Sequence, residues 1–326
     1  MRELTGREAI REAIREEMRR DGKVFMMGED ITEYGGCFGV SGDLYQEFGK
    51  DRIRNTPMSE MAIMNAGVGA AMLGMRPIVE IMFMDFLMYG ADGLANQAAK
   101  AVGMYTDQCS VPMVVRTPAG DAGAGGHHTQ SLEAWFAHIP GLVVVMPSTP
   151  YDLKGLLKTS IRSNNPVLFV EHKLGYRMKG EVPEEEYTIP FGKADIKREG
   201  KDITVLATSY MVYKAQEAAD ILEKEDGISV EVIDPRTLVP FDIDTLVRSV
   251  TKTEHLLIVH EAFERGGIGA EIAAQVANSE AFYHLDGPIE RLGGLNVTMP
   301  YSHVLEKLVP PSTEKIVDRV RRMLKH

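Results

Sequence analysis

Cysteine and tryptophan are scarce in this chain of 326 residues, which has two cysteines and one tryptophan. Cys37 and Cys109 stand far apart and form no C-x-x-C pattern. Their number and spacing exclude a disulfide framework and a cysteine zinc site. Because so few cysteines suit a reducing compartment, we expect a cytoplasmic protein.

Long apolar runs and an excess of positive charge are also missing. The longest apolar stretch, 61–75, falls short of the roughly 20 residues that span a bilayer. The charged segment 1–14 lacks the apolar core of a signal peptide. A formal net charge of −11 argues against nucleic acid or an anionic membrane as the main partner. We therefore expect no membrane and no nucleic-acid partner.

Several common cofactor and catalytic motifs are absent, including GxxxxGK[ST], HExxH and GxSxG. The segment GVGAAM (67–72) comes close to a dinucleotide fingerprint, but its third glycine is missing and it falls inside a predicted helix. Close helix packing explains these glycines better. The segment GGIGAE (266–271) could bind an anion at a helix N-terminus, although a turn that lets the helix approach a sheet is the favoured interpretation.

Short apolar segments alternate with helical ones along the chain. Thr5 and Glu8 form a capping box before an amphipathic helix. The expected strands are 23–30, 76–86, 111–120, 142–147, 166–172, 203–209, 229–235, 255–261 and 289–294. The expected later helices are the one that begins at Glu60 after the N-cap Ser59, followed by 90–107, 151–163, 212–225, 243–251, 269–278 and 312–325. This order predicts the α/β class, with mostly parallel sheets between layers of helices.

The composition changes over residues 174–202, which are charged, interrupted by proline and without a sustained period. We therefore predict two α/β domains, 1–185 and 203–326, joined by a linker at 186–202.

Glu60 stands at the first turn of the segment TPMSEMAIMNAGVGAAM (56–72), where Ser59 is a plausible N-cap. Small and apolar residues leave this helix little polar surface, so we expect it to be buried on all sides. Two interpretations of the acid stay open. In the first, the acid has no ligand and is stabilised by the helix dipole, by about 0.3–1 kcal/mol. In the second, burial raises the pKa of the acid, so that it can donate a hydrogen bond to a ligand such as a pyrimidine nitrogen.

A glycine-rich loop, RTPAGDAGAGGHHTQS (116–131), follows a predicted strand and ends near His127 and His128. Ligands of open parallel sheets bind beyond the carboxyl ends of the strands, where Glu29 would also lie. A lone histidine is more often structural than catalytic. Two histidines on a glycine loop at a strand end favour a functional role.

Long motifs resemble the beta subunits of thiamine-diphosphate-dependent 2-oxo acid dehydrogenase complexes. They are NTPMSEMAIMNAGVGAAMLGMRPIVEIMFMDF (55–86), GGHHTQSLEAWFAHIPGL (125–142) and VEVIDPRTLVPFDIDTL (230–246). The resemblance extends from about residue 3 to the end of the chain. The segments 80–86, 147–157 and 171–202 look most like acetoin dehydrogenase beta chains. The resemblance implies a pyrimidine-binding thiamine-diphosphate fold followed by a transketolase C-terminal-like domain.

The resemblance also implies roles for single residues. Glu60 would hydrogen-bond the aminopyrimidine of thiamine diphosphate and promote the amino–imino shift that activates the thiazolium carbon. Phe86 would stack on the pyrimidine, Met58 and Met82 would line its pocket, and Glu29 corresponds to the family's acid at the first strand end.

The family's active-site histidine falls on His128, which would stabilise an oxyanion or protonate the lipoyl thiolate. His127 replaces a common glutamine and has no assigned role. The family's potassium site, built from backbone carbonyls, would fall on Met113, Ser160, Ile161, Ser163 and Asn165.

The motif that holds the diphosphate and its magnesium, GDG…N, is absent. Gly120-Asp121-Ala122-Gly123 lacks both the glycine after the aspartate and the downstream asparagine. The resemblance therefore implies half an active site, with an alpha subunit supplying the other half in an α2β2 heterotetramer. The C-terminal domain would dock a lipoyl-bearing acyltransferase core.

Three classes of function stay open. The leading hypothesis is an enzyme subunit that cleaves acetoin, or decarboxylates pyruvate or a branched-chain 2-oxo acid, and passes the acyl group to lipoamide. A free-standing NAD oxidoreductase is the second, and the broken fingerprint counts against it. A non-catalytic interaction subunit is the third, which the presence of Glu60, Phe86 and His128 disfavours.

Overall fold

The computed structural model describes residues 1–105, 109–123 and 125–325. The chain divides into two compact units. The first contains residues 1–119 and 135–191, and the second contains 120–134 and the chain from 192 onward. The glycine loop therefore groups with the second unit. Residues 106 and 107 of the predicted helix 90–107 lie outside the described residues.

The first unit is built around a sheet of parallel strands. Its strands are β1 (Arg2–Thr5), β2 (Val24–Gly28), β3 (Ile53–Asn55), β4 (Arg76–Glu80), β5 (Val114–Ala119), β6 (Val143–Val145), β7 (Val167–His172) and β8 (Lys179–Val182). The order in the sheet is β6-β7-β5-β4-β2-β3, and neighbouring strands are parallel. β1 and β8 form a separate antiparallel pair. Every residue of β2, β5 and β7 is buried, which explains why these strands are mostly apolar.

Helices follow the strands in alternation, as the sequence predicts. They are α1 (Gly6–Arg20), α2 (Leu44–Phe48), α3 (Glu60–Met72), α4 (Leu87–Asp92), α5 (Ala101–Met104), α6 (Glu133–Ala137) and α7 (Pro150–Arg162), with a π-helical segment at Gly93–Ala98 and 3₁₀ turns at Met84–Phe86 and Leu174–Arg177. The predicted capping box is confirmed, because the amide of Thr5 donates to Glu8 Oε2 at 2.8 Å and the amide of Glu8 donates to Thr5 Oγ1 at 3.4 Å.

Helix α3 does not match the expectation of burial on all sides. One face carries the buried residues Ile63, Met64, Gly67, Val68 and Ala71. On the other face, Met61 and Met72 are 61% and 44% exposed, and Leu73 at the C-cap is 88% exposed. The prediction is wrong because small apolar residues lie on both faces of this helix, while the first unit covers only one.

The two glycines of the broken fingerprint have different surroundings. A Cβ at Gly67 would lie 2.6 Å from Cγ2 of Val79 and 2.9 Å from Sδ of Met113, whereas a Cβ at Gly69 would have no atom within 4 Å. Close helix packing therefore accounts for Gly67 and not for Gly69.

The second unit is built around its own sheet of five strands. The strands of the unit are β9 (Asp195–Arg198), β10 (Ile203–Ala207), β11 (Val230–Asp234), β12 (Thr237–Val239), β13 (Leu256–Phe263) and β14 (Glu290–Gly294), of which β12 is not part of this sheet. The sheet order is β14-β13-β10-β11-β9, and only β9 runs antiparallel to its neighbour. β9 lies within the segment expected as a linker.

Five α-helices and one 3₁₀ turn complete the described part of this unit. They are α8 (Met211–Asp226), α9 (Ile243–Thr253), α10 (Ile268–Ala277), α11 (His303–Glu306), α12 (Thr313–Met323) and the turn Glu280–His284. In the described ranges of both units, no helix combines the length and apolarity needed to cross a bilayer.

The glycine-rich turn before α10 packs around His260. A Cβ at Gly267 would lie 2.5 Å from Cε1 of this buried histidine, and a Cβ at Gly269 would lie 2.7 Å from its Nε2. The turn thus brings α10 close to β13, as the packing interpretation predicted.

Candidate functional site

Glu29 and Glu60 lie near each other at the carboxyl ends of the first unit's strands. Glu29 directly follows β2, and Glu60 opens α3 after β3, the neighbour of β2 in the sheet. Burial raises the pKa of Glu29, and the negative charges of Glu60, Asp30 and Glu80 raise it further. Glu29 therefore holds a proton more readily than an isolated glutamate does.

Glu60 is half-buried in the first unit, so the expectation that the helix carries it into the core is wrong for this unit by itself. Ser59 occupies the N-cap position but makes no capping hydrogen bond with its side chain. The acid is thus held at the edge of the sheet by the start of α3, where a ligand can reach it.

Close packing of α4 on α3 brings the predicted stacking residue into the same region. A Cβ at Gly90 of α4 would lie 3.2 Å from Cβ of Met64 and 3.4 Å from the carbonyl oxygen of Glu60. Phe86 immediately precedes α4 and is half-buried. Glycine at position 90 therefore lets the segment that carries Phe86 approach the first turn of α3.

The other residues predicted to line the pyrimidine pocket differ in exposure. Met82 is half-buried, whereas Met58 is 83% exposed. The ring of Phe86 stands edge-to-face with that of Phe83, with centroids 5.7 Å apart. An acid, an aromatic ring and apolar neighbours are the groups that suit a flat, nitrogen-containing ring.

A buried ionic network, which the sequence reasoning missed, lies across the central strands. Arg116 on β5 donates from Nε and Nη2 to the two carboxylate oxygens of Glu171 on β7, at 2.7 and 2.8 Å. Its Nη1 donates to Glu80 at the end of β4 at 2.7 Å, and the hydroxyl of Tyr176 donates to Glu171 at 2.5 Å. The sequence signal for this network is the presence of charged residues inside mostly apolar strand segments. The partners of these residues become known only from the order of the strands in the sheet.

The network fixes the charge state of its members. Burial lowers the pKa of Arg116, but Glu171 and Glu80 outweigh this effect and raise it overall. Burial and then the charge of Glu171 raise the pKa of Tyr176. Burial also raises the pKa of Glu80, although Arg116 opposes it. One arginine thus shares its single positive charge between two carboxyl groups near Glu29.

His127 and His128 lie in the second unit, at the end of the glycine loop. Their ring centroids are 4.8 Å apart, and the rings are inclined at 30°. The backbone amide of His128 donates to the carbonyl of Gly125 at 3.1 Å. His127 lines a cavity of about 510 Å³ together with Gln130, Arg265 and neighbouring residues. The loop therefore presents a histidine at a cavity large enough for a small ligand.

Four carboxylates of the second unit, Asp121, Glu133, Glu261 and Glu306, gather around this loop; we call them the loop carboxylates. The amide of Asp121 donates to Glu261, and the amide of Gly125 donates to Glu306 Oε1 at 3.1 Å. Because 185 positions separate the first from the last (306 − 121), no local sequence pattern indicates the cluster.

Burial raises the pKa of two loop carboxylates. For Asp121, burial and then Glu306 and Glu261 raise it to about 6. For Glu133, burial and then the charge of Glu261 raise it to about 7. Glu133 is fully buried, and its carboxyl oxygens have no hydrogen-bond partner apart from its own amide.

The backbone carbonyls predicted to bind potassium already accept hydrogen bonds. The guanidinium of Arg76 donates to the carbonyls of Ile161 and Ser163, and the amide of Val167 donates to that of Met113 at 2.9 Å. A positive group thus lies at two of the five carbonyls. Potassium binding there stays a prediction.

No cluster of three or more His, Cys, Asp or Glu residues within the described ranges has the arrangement of a metal site. Glu60 offers an acid and Phe86 an aromatic face, which are the groups that a pyrimidine ring would need; their contact with one stays a prediction.

Two family models match the chain. The transketolase pyrimidine-binding domain matches residues 2–179, and the transketolase C-terminal domain matches residues 192–316. A solved structure described as "Split gene transketolase, inactive beta4 tetramer" has a TM-score of 0.81 at 21% identity and covers 99% of this chain and 98% of its own. At that identity, the likeness confirms the predicted fold alone.

Curated relatives are similar over nearly the whole chain. The 2-oxoisovalerate dehydrogenase subunit beta of Bacillus subtilis is 46% identical and matches over 97% of both chains. The beta subunit of the acetoin:2,6-dichlorophenolindophenol oxidoreductase of Cupriavidus necator is also 46% identical, over 99% of this chain and 98% of its own. The mitochondrial pyruvate dehydrogenase E1 component subunit beta-2 of Oryza sativa subsp. japonica is 44% identical, over 98% of this chain and 86% of its own.

Proposed function

Because this chain belongs to the family of beta subunits of 2-oxo acid dehydrogenase first components, which carry the transketolase pyrimidine-binding and C-terminal domains, we propose that it is the beta subunit of an acetoin dehydrogenase. In this reaction the bond between the two oxygenated carbons of acetoin breaks and acetaldehyde leaves. The other two-carbon unit is oxidised to acetyl while the lipoamide disulfide is reduced to a thiol and an acetyl thioester.

The observation that carries the proposal is the placement of Glu29 and Glu60 beside the segment of Phe86. Glu60 holds a hydrogen bond to a pyrimidine nitrogen, and the acid at position 29 keeps a proton available within the pair. Phe86 orients the ring by stacking on it. When bound, thiamine diphosphate supplies a nucleophilic thiazolium carbon, which the protein's own side chains do not provide.

His128 acts on the substrate side of the reaction. A histidine at the end of this glycine loop can donate a hydrogen bond to a developing oxyanion and can protonate a leaving thiolate. The cavity of about 510 Å³ lies beside the preceding residue of the loop. His127 lines the same cavity. We assign the contact with the reacting oxygen to His128, and we assign to His127 only a place in the wall of the cavity.

An alpha subunit completes the site in an α2β2 assembly, supplying the groups for the diphosphate and its magnesium. The exposed apolar side chains on α3 and next to its ends support this partnership, because proteins seldom leave such a surface uncovered; they are Met58, Met61, Met72 and Leu73. The C-terminal domain docks the acyltransferase core that carries lipoamide. The free cysteines Cys37 and Cys109 agree with the cytoplasmic location that we propose.

A branched-chain 2-oxo acid is the second candidate substrate, and pyruvate is the third. The relatives named for 2-oxoisovalerate and for acetoin are both 46% identical to the chain, so overall similarity ranks neither above the other. We keep acetoin first because the segments 80–86 and 147–157 resemble acetoin dehydrogenases.

Reconstitution with the alpha subunit of the same organism tests the proposal. The assembly is given thiamine diphosphate and magnesium, and reduction of a dye is followed with acetoin, pyruvate and a branched 2-oxo acid. Turnover should be fastest with acetoin, and Glu60→Gln should lower it at least about 10²-fold. Glu185→Gln, a change at an exposed glutamate of the same unit, is the matched control.

Each outcome bears on a different part of the proposal. A well-formed assembly that turns over none of the three substrates contradicts the enzyme function. If another substrate is turned over faster, that substrate takes the place of acetoin in the proposal. A fully active Glu60→Gln variant contradicts the role of Glu60.

A further inference from the structure

The loop that ends in His127 and His128 is held by acceptors from distant parts of the second unit. The amide of Asp121 donates to the carboxylate of Glu261, near the end of β13, and the amide of Gly125 donates to Glu306, the last residue of α11. Glu306 is 1% exposed. Because buried amides strongly prefer a hydrogen-bond partner, these two bonds fix the path of the loop backbone.

Tyr301 closes over the loop directly before the histidines. Gly125 and Gly126 have φ values of +62° and +46°, which favour glycine. A Cβ on Gly125 would lie 2.8 Å from Cδ1 of Tyr301, and a Cβ on Gly126 would lie 2.7 Å from its Oη. The backbone that leads into His127 and His128 is therefore confined at one point, where Glu306 also binds.

The carboxyl groups of Asp121 and Glu306 are neighbours: burial and then Glu306 raise the pKa of Asp121. Two other titratable groups face this pair. Nδ1 of His303 lies 3.7 Å from Oε2 of Glu306, and Glu261, which also acts on Asp121, faces Glu133. The pair is thus surrounded mainly by negative charge.

We propose that Glu306 is a positioning residue for His128, whose loop it holds through the amide of Gly125. The inference rests on the role proposed for His128 and adds a residue that acts through the loop backbone. When Asp121 is deprotonated, its carboxylate repels that of Glu306 and the loop loosens. Since burial and the neighbouring acids raise the pKa of Asp121 to about 6, loosening occurs as the pH rises through that value.

Hydrogen exchange of the reconstituted assembly tests the structural part. Glu306→Ala should speed exchange of peptides that cover 120–128 by at least about tenfold, because the amide of Gly125 loses its acceptor. Glu306→Gln keeps an acceptor and gains a donor towards Asp121, so it should restore protection. Glu280→Ala, at an exposed glutamate of the same unit, should leave exchange unchanged.

Kinetics test the positioning part. Glu306→Ala should lower kcat about 10²-fold while the KM for thiamine diphosphate changes less than threefold, because a misplaced group costs rate more than it costs cofactor binding. Glu306→Gln should rescue most of the lost kcat. If exchange quickens but kcat is unchanged, the loop is anchored but does not position His128, and the proposal is wrong.

The pH profile gives an independent test if Glu306→Ala fails to fold. After correction for the intrinsic exchange rate, wild-type protection at 120–128 should fall between pH 5 and 8, and protection in Glu306→Gln should not. The same pH dependence in both proteins overturns the proposal. Hydrogen exchange can be measured without turnover. An assembly that turns over no substrate therefore contradicts the proposed function, while the exchange data still show whether Glu306 anchors the loop.

Discussion

Arg116 and Glu171 form a doubly hydrogen-bonded ion pair inside the sheet of the first unit, with N–O distances of 2.7 and 2.8 Å and both side chains 1% exposed. Both charges lie in fully buried strands, so each depends on the other for its hydrogen bonds. Glu80 and Tyr176 complete the hydrogen bonding of the pair.

We predict that Arg116→Met destabilises the chain by about 3–5 kcal/mol, because it leaves the carboxylates of Glu171 and Glu80 buried without their cation. Urea denaturation of the isolated chain measures this. Lys179→Gln removes an ion pair with Glu3, whose side chains are 63% and 60% exposed, and should change stability far less than Arg116→Met does, because solvent screens exposed pairs. Equal losses in the two variants would contradict the role of the network.

Glu133 provides a prediction about pH. Its folded-state pKa is about 7 against an ordinary 4.5, so its contribution to stability is complete below pH 4.5 and is lost as the pH rises through 7. Glu133→Gln avoids this loss. The variant should match the wild type near pH 5 and be more stable by about 3 kcal/mol at pH 8. Denaturation at the two pH values measures the difference, and a constant offset would show that Glu133 is not the titrating group.

Two glycines on α3 form a matched pair of tests. Gly67→Ala places a Cβ against Val79 and Met113 and should destabilise the chain by about 1–3 kcal/mol. Gly69→Ala meets no neighbour and should stabilise the helix by about 0.5–1 kcal/mol. Thermal and urea melts of both variants decide whether packing distinguishes these positions.

The order of helices and strands could be predicted because apolar periodicity and capping are local properties. The capping box of Thr5 and Glu8 and the buried strands agree with the sequence. The exposure of α3 could not be predicted, because the sequence of an apolar helix is the same whether its own unit or another protein surface covers it. The partners of Arg116 and Glu306 depend on strand order and on the path of the chain, which no local pattern contains.

The exposed face of α3 predicts an effect on assembly. Met61→Glu should weaken binding to the alpha subunit at least tenfold while the melting temperature of the isolated chain stays unchanged, because the side chain is 61% exposed there. Gln46→Glu puts the same carboxylate on α2, at another exposed position, and should not affect assembly. Analytical ultracentrifugation measures both, and normal assembly of Met61→Glu would place the partner on a different face.

Removal of magnesium should affect cofactor binding by the complete assembly and should not affect the isolated chain. A chelator should abolish thiamine-diphosphate binding to the heterotetramer, and calorimetric titration of magnesium into the isolated chain should give no heat of specific binding, since the described residues contain no metal cluster. Tight magnesium binding by the isolated chain would contradict the division of the site between two subunits.

Hydrogen–deuterium exchange at the thiazolium carbon of bound thiamine diphosphate most directly tests the claim that this chain supplies the acid for the pyrimidine. Nuclear magnetic resonance after rapid quenching compares reconstituted wild type with Glu60→Gln, both saturated with the cofactor. The account predicts that exchange slows at least about 10²-fold in the variant. Equal exchange rates in the two proteins would contradict the role of Glu60.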